Sequence, residues 1–161
     1  VGIVFQEYTS SRSEYLKVEE GEINNFLTEY LSDLSYEKLD TYITKDHLIC
    51  YVLLKSNKEG VLLQLTKTKK GYESTKSSVW ELSSDSISLL KVNGNRHTSA
   101  LQAGIVIDDS IKTIKIISEN GEITKFSLKG NDGFIMPIEE PVIKVEGFNK
   151  EEKMIWSHGP L

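Results

Sequence analysis

HLICYVLLKSNKEGVLLQLTK, residues 47–67, decides the fold class of this chain. Two apolar runs flank a polar segment that ends in Gly60. Short apolar runs bounded by turn residues are typical of neighbouring strands. The stretch therefore predicts two strands, residues 48–55 and 61–67, that pair across a tight turn.

The strand pattern continues downstream of this pair. Further candidate strands are residues 72–82 and 87–92, and the turn residues Lys69-Lys70-Gly71 and Asn93-Gly94-Asn95 punctuate them. Sequential short strands joined by tight turns form an antiparallel meander. We expect the four strands to make one such meander.

One amphipathic helix is predicted upstream of the meander. Its apolar stripe has offsets of 0, 3, 4, 7, 8 and 11 residues, which fits a period of 3.6. The stripe consists of Ile23, Phe26, Leu27, Tyr30, Leu31 and Leu34. Glu20 and Glu22 lie near its start, where the helix dipole favours acids. We expect this helix to cover one face of the meander, and residues 1–8 to form a short strand or an ordered arm.

The last third of the chain repeats the strand theme. Candidate strands are residues 103–107, 111–118, 122–129, 134–138, 142–148 and 154–156. Asn120-Gly121 is the strongest hairpin signal in the chain. The predicted class is α+β, mostly β. A helix-covered meander, residues 1–97, precedes a β-sandwich-like antiparallel module, residues 98–161, and the two share packing because no linker separates them.

Composition excludes several classes of function. The chain has 161 residues and a net charge of −5, which disfavours binding to phosphate backbones. Lys67, Lys69 and Lys70 form a short basic patch that we interpret as a solvated hairpin end. Cys50 is the single cysteine, so no internal disulfide can form, and its apolar surroundings favour a buried thiol. No apolar run is long enough to span a bilayer.

Catalytic and metal-binding patterns are missing from the sequence. His47, His97 and His158 are far apart and lack the spacing of zinc ligands. There is no Gly-x-Ser-x-Gly motif and no glycine-rich phosphate loop. The acidic pairs Asp108-Asp109 and Glu139-Glu140 fit charged strand ends better than a pair of catalytic carboxylates. We therefore expect no catalytic residue, no cofactor and no metal site.

Aromatic residues are the remaining candidates for recognition. They are spread over several predicted strands, where aromatic side chains are mostly core. They are Tyr72, Trp80, Phe126, Phe134, Phe148 and Trp156. Trp80 and Trp156 are the candidate contacts with a ligand or partner, and Trp156 stands out because the residues after it read as a frayed end.

Three segments carry a resemblance to a known kind of protein. They are GIVIDDSIKTIKI (residues 104–116), GFIMP (133–137) and IKVEGFNK (143–150). Together they resemble the outer domains of small single-pass membrane proteins of Bacillus-type bacteria, some of which are negative effectors of extracytoplasmic-function sigma factors. Gly71-Tyr72 stands where such domains often carry Gly-Trp. The segment 145–149 departs from their closing Val-x-Ala-Tyr-Asp.

The resemblance covers roughly the last two thirds of the chain and implies an extracytoplasmic place. The membrane would be reached only through an N-terminal anchor, and the start at Val1 suggests that an anchor or signal peptide was removed. The resemblance brings no catalytic residues with it.

Three functions compete on this basis. The first is a non-enzymatic sensing or interaction domain that binds a protein partner or envelope ligand, for example as an anti-sigma type of effector of a sigma factor. The alternative is a cell-envelope module that binds carbohydrate or peptide, which needs an exposed aromatic face or an available sheet edge. The third is an enzyme whose site brings His47 or His97 beside a carboxylate.

Overall fold

The computed structural model describes residues 14–83, 85–94, 99–128, 130 and 132–160, without the side chains of residues 76 and 77. The arm predicted at residues 1–8 and the predicted boundary between residues 97 and 98 lie outside this part of the chain. The chain divides into two compact units between Trp80 and Glu81.

The described residues form one helix and eleven strands. The helix is α1 (Glu20–Tyr30). The strands are β1 (Glu37–Ile43), β2 (Cys50–Lys55), β3 (Glu59–Thr68), β4 (Gly71–Glu81), β5 (Ile87–Val92), β6 (Ala100–Val106), β7 (Thr113–Ser118), β8 (Ile123–Ser127), β9 (Gly133–Ile138), β10 (Val142–Phe148) and β11 (Met154–His158).

The first unit contains one four-stranded sheet in the order β1-β2-β3-β4. Strands β2 and β3 pair antiparallel, with Val52 opposite Leu63. Val52 and Leu63 belong to a core cluster that also contains residues of α1. Leu53 and Leu62, on the other face of the same strands, are fully buried as well. Burial on both faces explains why residues 47–67 read as continuous apolar runs.

The prediction that a helix covers the meander is wrong. Helix α1 has 11 residues, a length of about 16 Å. It buries only Ile23 and Leu27, and it ends before Leu34, which is 44 % exposed. The apolar stripe was read past the end of the helix because Leu31 packs against the same core from beyond the last turn. The chain is mostly β and not an α+β protein.

Polar contacts hold α1 on the first sheet. The carboxylate of Glu22 accepts hydrogen bonds from Lys67 Nζ at 2.8 Å and from the Tyr72 hydroxyl at 2.7 Å. The Tyr72 hydroxyl also accepts a hydrogen bond from the Glu19 N–H. The Tyr72 ring lies 5.8 Å from that of Phe26. These contacts tie α1 to β3 and β4, and Lys38 Nζ of β1 also donates a hydrogen bond to the side chain of Asn24 at 3.1 Å.

The second unit contains two sheets that share one core. Their orders are β5-β6-β9 and β11-β10-β7-β8. Phe134 and Ile138 come from β9 in the three-stranded sheet. Ile114 and Val145 come from β7 and β10 in the four-stranded sheet, and all four residues belong to one buried cluster. Strand β5 was predicted as the last strand of the first meander, but it pairs antiparallel with β6.

The hairpin predicted at Asn120-Gly121 is confirmed. It joins β7 and β8, which pair with Lys115 opposite Lys125. Gly121 has a φ of 86°, which a glycine adopts without strain. The side chain of Asn120 accepts a hydrogen bond from the Glu122 N–H at 3.0 Å.

Candidate functional site: the edge of strand β11

Six strands lie at the edges of the three described sheets, and they differ in how their free edges are protected. Natural sheets block pairing at an edge with charged side chains or proline. Five of the six strands follow this rule, through charged residues in β1, β4, β5 and β8 and through Pro137 in β9. Strand β11 has the sequence MIWSH, without proline, Asp, Glu, Lys or Arg.

Strand β11 also exposes apolar side chains. Met154 is 48 % exposed and Ile155 is 38 % exposed. Among the described residues, only β10 pairs with β11, so the other side of β11 offers unpaired backbone groups. Such an edge is a template for one more strand.

Trp156 holds the edge strand against the core. It lies opposite Gly147, whose missing side chain leaves room near Ile111 on the core side of the sheet. The indole is partly buried against the core of the second unit. Its ring stacks on that of His158, with 6.1 Å between centroids and 9° between planes. Its neighbour Ile155 lies at a register shift, because Trp156 pairs with Gly147 whereas Met154 pairs with Phe148.

A tight turn fixes the position of β11 beside β10. The side chain of Asn149 accepts hydrogen bonds from the N–H groups of Glu151 and Lys153, both at 3.0 Å. The backbone N–H of Asn149 also bonds to the Lys153 carbonyl at 2.9 Å. Side-chain bonds of Asn to nearby backbone stabilise turns. The free edge therefore belongs to a hairpin whose turn is fixed by three hydrogen bonds of Asn149.

The two predicted contact residues lie in different units. Trp80 is in β4 and is partly buried. Trp156 is in β11, where it positions the edge. The structure adds Met154 and Ile155, which the sequence analysis left out. Their signal was the absence of charge in 154–158, but that absence acquires meaning only once β11 is known to be an edge.

The described histidines and the other candidate groups each have their own place in the fold. His47 lies in a turn with a φ of 61°, His158 lies on β11, and His97 is outside the described residues. In the part that the structure describes, no group of three or more His, Cys, Asp and Glu could hold a metal ion. Cys50 is fully buried, and this burial raises the pKa of its thiol to about 12. Asp108 accepts hydrogen bonds from the hydroxyl and the N–H of Ser110, which hold the pKa of its carboxyl below the usual range.

The lysines of the predicted basic patch are divided between two environments. Lys67 pairs with Glu22 at 2.8 Å. Lys69 and Lys70 line an open cleft of about 470 Å³. The cleft is also lined by Glu14, Tyr15, Thr68 and Glu73. Two acids therefore face two bases, and the cleft has no excess of positive charge.

Comparison of the chain with family models, with curated proteins and with solved structures finds no match. The described helix is too short and too polar to cross a membrane.

Proposed function

We propose that this protein is a non-enzymatic interaction domain that binds an extended segment of a protein partner along β11. The observation that carries the proposal is the edge of β11, which has no charged residue or proline and exposes Met154 and Ile155 beside a register shift in its pairing with β10. A strand added there would gain backbone hydrogen bonds and would place alternate side chains beside Met154 and Ile155. The hydrogen-bonded turn at Asn149 supports the proposal, because a strand that is already fixed loses little conformational entropy on binding.

The peptide form of the envelope-module alternative is contained in this proposal, but the carbohydrate form has less support. A carbohydrate platform needs an exposed ring face. Every aromatic side chain in the described residues is buried or only partly exposed. Phe134, for example, is 3 % exposed, and Trp156 packs against the core.

The resemblance in the C-terminal segments supports an extracytoplasmic place and, more narrowly, a role as a negative effector of a sigma factor. A topology experiment on the full-length gene product tests this part. Alkaline phosphatase fused after Leu161 should be active if the domain is outside the membrane. Activity of a cytoplasmic reporter at the same position would contradict the extracytoplasmic place and leave the edge proposal intact.

A matched pair of substitutions tests the edge. Peptides selected from a random displayed library against the wild-type protein serve as ligands, and fluorescence polarisation gives their Kd. Ile155→Lys places a charge beside the free edge and should weaken binding by about tenfold or more. Ile123→Lys is the control, because Ile123 is 58 % exposed on edge strand β8, which already carries Lys125. Its Kd should stay within about twofold of the wild type.

Three results would contradict the proposal. One is equal weakening by both substitutions, and another is a library that yields no specific binder. The third is a homodimer, seen by analytical ultracentrifugation, that Ile155→Lys dissociates. In that case a second copy of this chain, and not a partner, would occupy the edge.

A further inference from the structure

Three lysine side chains converge on the outer face of the sheet that contains β11. Lys115 Nζ lies 3.6 Å from one carboxylate oxygen of Glu146, and Lys144 Nζ lies 3.4 Å from the other. Lys125 reaches from β8 towards β10, with its Nζ 5.2 Å from the centre of the Phe148 ring. These contacts place two ammonium groups at Glu146 and the third at Phe148, the next residue of β10 on the same face.

Strand register brings like charges directly opposite each other. Lys115 lies opposite Glu146 on β10 and opposite Lys125 on β8. Residues directly opposite on one face of a sheet have Cβ atoms about 5 Å apart, and like charges there are destabilising. Glu146 compensates one lysine, so three ammonium groups and one carboxylate leave a local charge of +2. The whole chain has the opposite sign, with a net charge of −5.

The carboxylate of Glu146 is largely buried, whereas the ammonium groups of Lys115 and Lys144 keep free hydrogen-bond donors. The side chain of Glu146 is 11 % exposed, whereas those of Lys115 and Lys144 are 29 % and 37 % exposed. Both ion-pair distances exceed the ~2.8 Å of a charge-assisted hydrogen bond. A lysine ammonium has three donors. The two ammonium groups therefore have donors left for an additional anion.

We propose that Lys115, Lys125 and Lys144 form a binding site for a doubly charged phosphate group. Such a group carries up to about two negative charges at pH 7 and would neutralise the cluster. Lysines bind phosphate as point charges, whereas planar carboxylates favour the fork of arginine. The site lies on the sheet face and is independent of the edge proposed above for partner binding.

Titration with inorganic phosphate at constant ionic strength tests the site. Chemical shifts of backbone amides are followed in ¹H–¹⁵N spectra of the whole protein. Saturable shifts should centre on β7, β8 and β10. Dimethyl phosphate, a diester with one charge, should bind more weakly than phosphate by about three- to tenfold. Equal affinity would assign the site to phosphodiesters, and so overturn the dianion proposal.

Variants with opposite expected effects complete the test. Lys125→Gln should weaken phosphate binding by about three- to tenfold without breaking either ion pair to Glu146. Glu146→Gln should strengthen binding, because it removes the competing carboxylate. Lys69→Gln is the control, since Lys69 lies in the first unit and makes none of these contacts. Shifts that never saturate, or that respond alike to Lys125→Gln and Lys69→Gln, would overturn the site.

Discussion

Replacement of Gly104 by alanine tests the packing between β6 and β9. A Cβ at this position would lie 2.5 Å from Cζ of Phe134 and closer still to its Cε1, and 3.3 Å from Ile87 Cγ2. Gly104 and Phe134 are directly opposite in the sheet. The Phe134 ring is 3 % exposed and makes an edge-on contact with Phe126 at 5.3 Å, so it has little room to move. We expect Gly104→Ala to destabilise the second unit.

The magnitude follows from two opposing effects. Overpacking of a core costs about 1–3 kcal/mol. Alanine in place of glycine in a strand recovers about 0.5–1 kcal/mol through the entropy of the unfolded chain. The expected net loss lies in the range of about 0–2.5 kcal/mol in the free energy of unfolding, with its middle near about 1 kcal/mol. In a Phe134→Leu background the two nearest ring atoms are absent. There, Gly104→Ala should be neutral or stabilising.

The assay is urea unfolding of the four proteins of this double-mutant cycle. The fluorescence of Trp156 reports the second unit if all four carry Trp80→Phe. We expect a coupling energy of at least about 1 kcal/mol between positions 104 and 134. Equal losses with Phe134 intact and in the Phe134→Leu background would falsify the packing argument. An altered m-value would show that the compactness of the unfolded or native state, or the two-state behaviour, had changed and would require calorimetry of the same four proteins.

Two further predictions concern the first unit. The Cys50 thiol, buried and with its pKa raised to about 12, should not react with a thiol reagent at pH 8 in the folded protein and should react at once in urea; fast labelling without denaturant would contradict its burial. Desolvation, together with the hydrogen bond to Glu22, raises the pKa of Tyr72 to about 12 from an ordinary value of 10.0. The unfolded phenol therefore loses its proton first, and stability should fall as the pH rises from 10 to 12. In urea unfolding at several pH values, Tyr72→Phe should reduce this fall, and an unchanged slope would show that other groups cause it.

The strands were predictable where burial is continuous or strictly alternating. The predicted strand at residues 48–55 contains β2, whose first five residues are all buried. Strand β1 was missed. Its sequence EKLDTYI has three charged residues, and Leu39 is its only buried side chain. A strand that is mostly half-exposed carries too weak a pattern to be seen in one sequence.

Whereas β1 was missed, the helix was predicted to be longer than it is. Periodicity identified α1, but it cannot show where backbone hydrogen bonding stops. Leu31 continues the stripe from the C-cap position and Leu34 from beyond it, so the predicted helix was too long and its role in the fold too large. The 11 observed residues of α1 bury only two side chains, Ile23 and Leu27.

The candidate sites depend on pairings that sequence spacing does not reveal. Trp156 was singled out because the residues after it read as a frayed end, whereas its importance comes from the order β11-β10-β7-β8, which makes β11 an edge. Lys115, Lys125 and Glu146 belong to three strands and become neighbours only through the register of those strands. A one-residue slip of β8 would move Lys125 to the other face and remove the cluster.

Burial explains why both proposals fall on one sheet. In the first sheet, Leu53 and Val52 are buried on opposite faces of β2. In the sheet β5-β6-β9, the adjacent residues Gln102 and Ala103 of β6 are likewise both buried. In the sheet β11-β10-β7-β8 the inner face is core, through residues such as Ile114 and Val145, whereas the outer face buries Glu146 but leaves the side chains of Lys115 and Lys144 29 % and 37 % exposed. Its outer face and its uncharged edge keep backbone groups and lysines available, so recognition has the most accessible chemistry on this sheet.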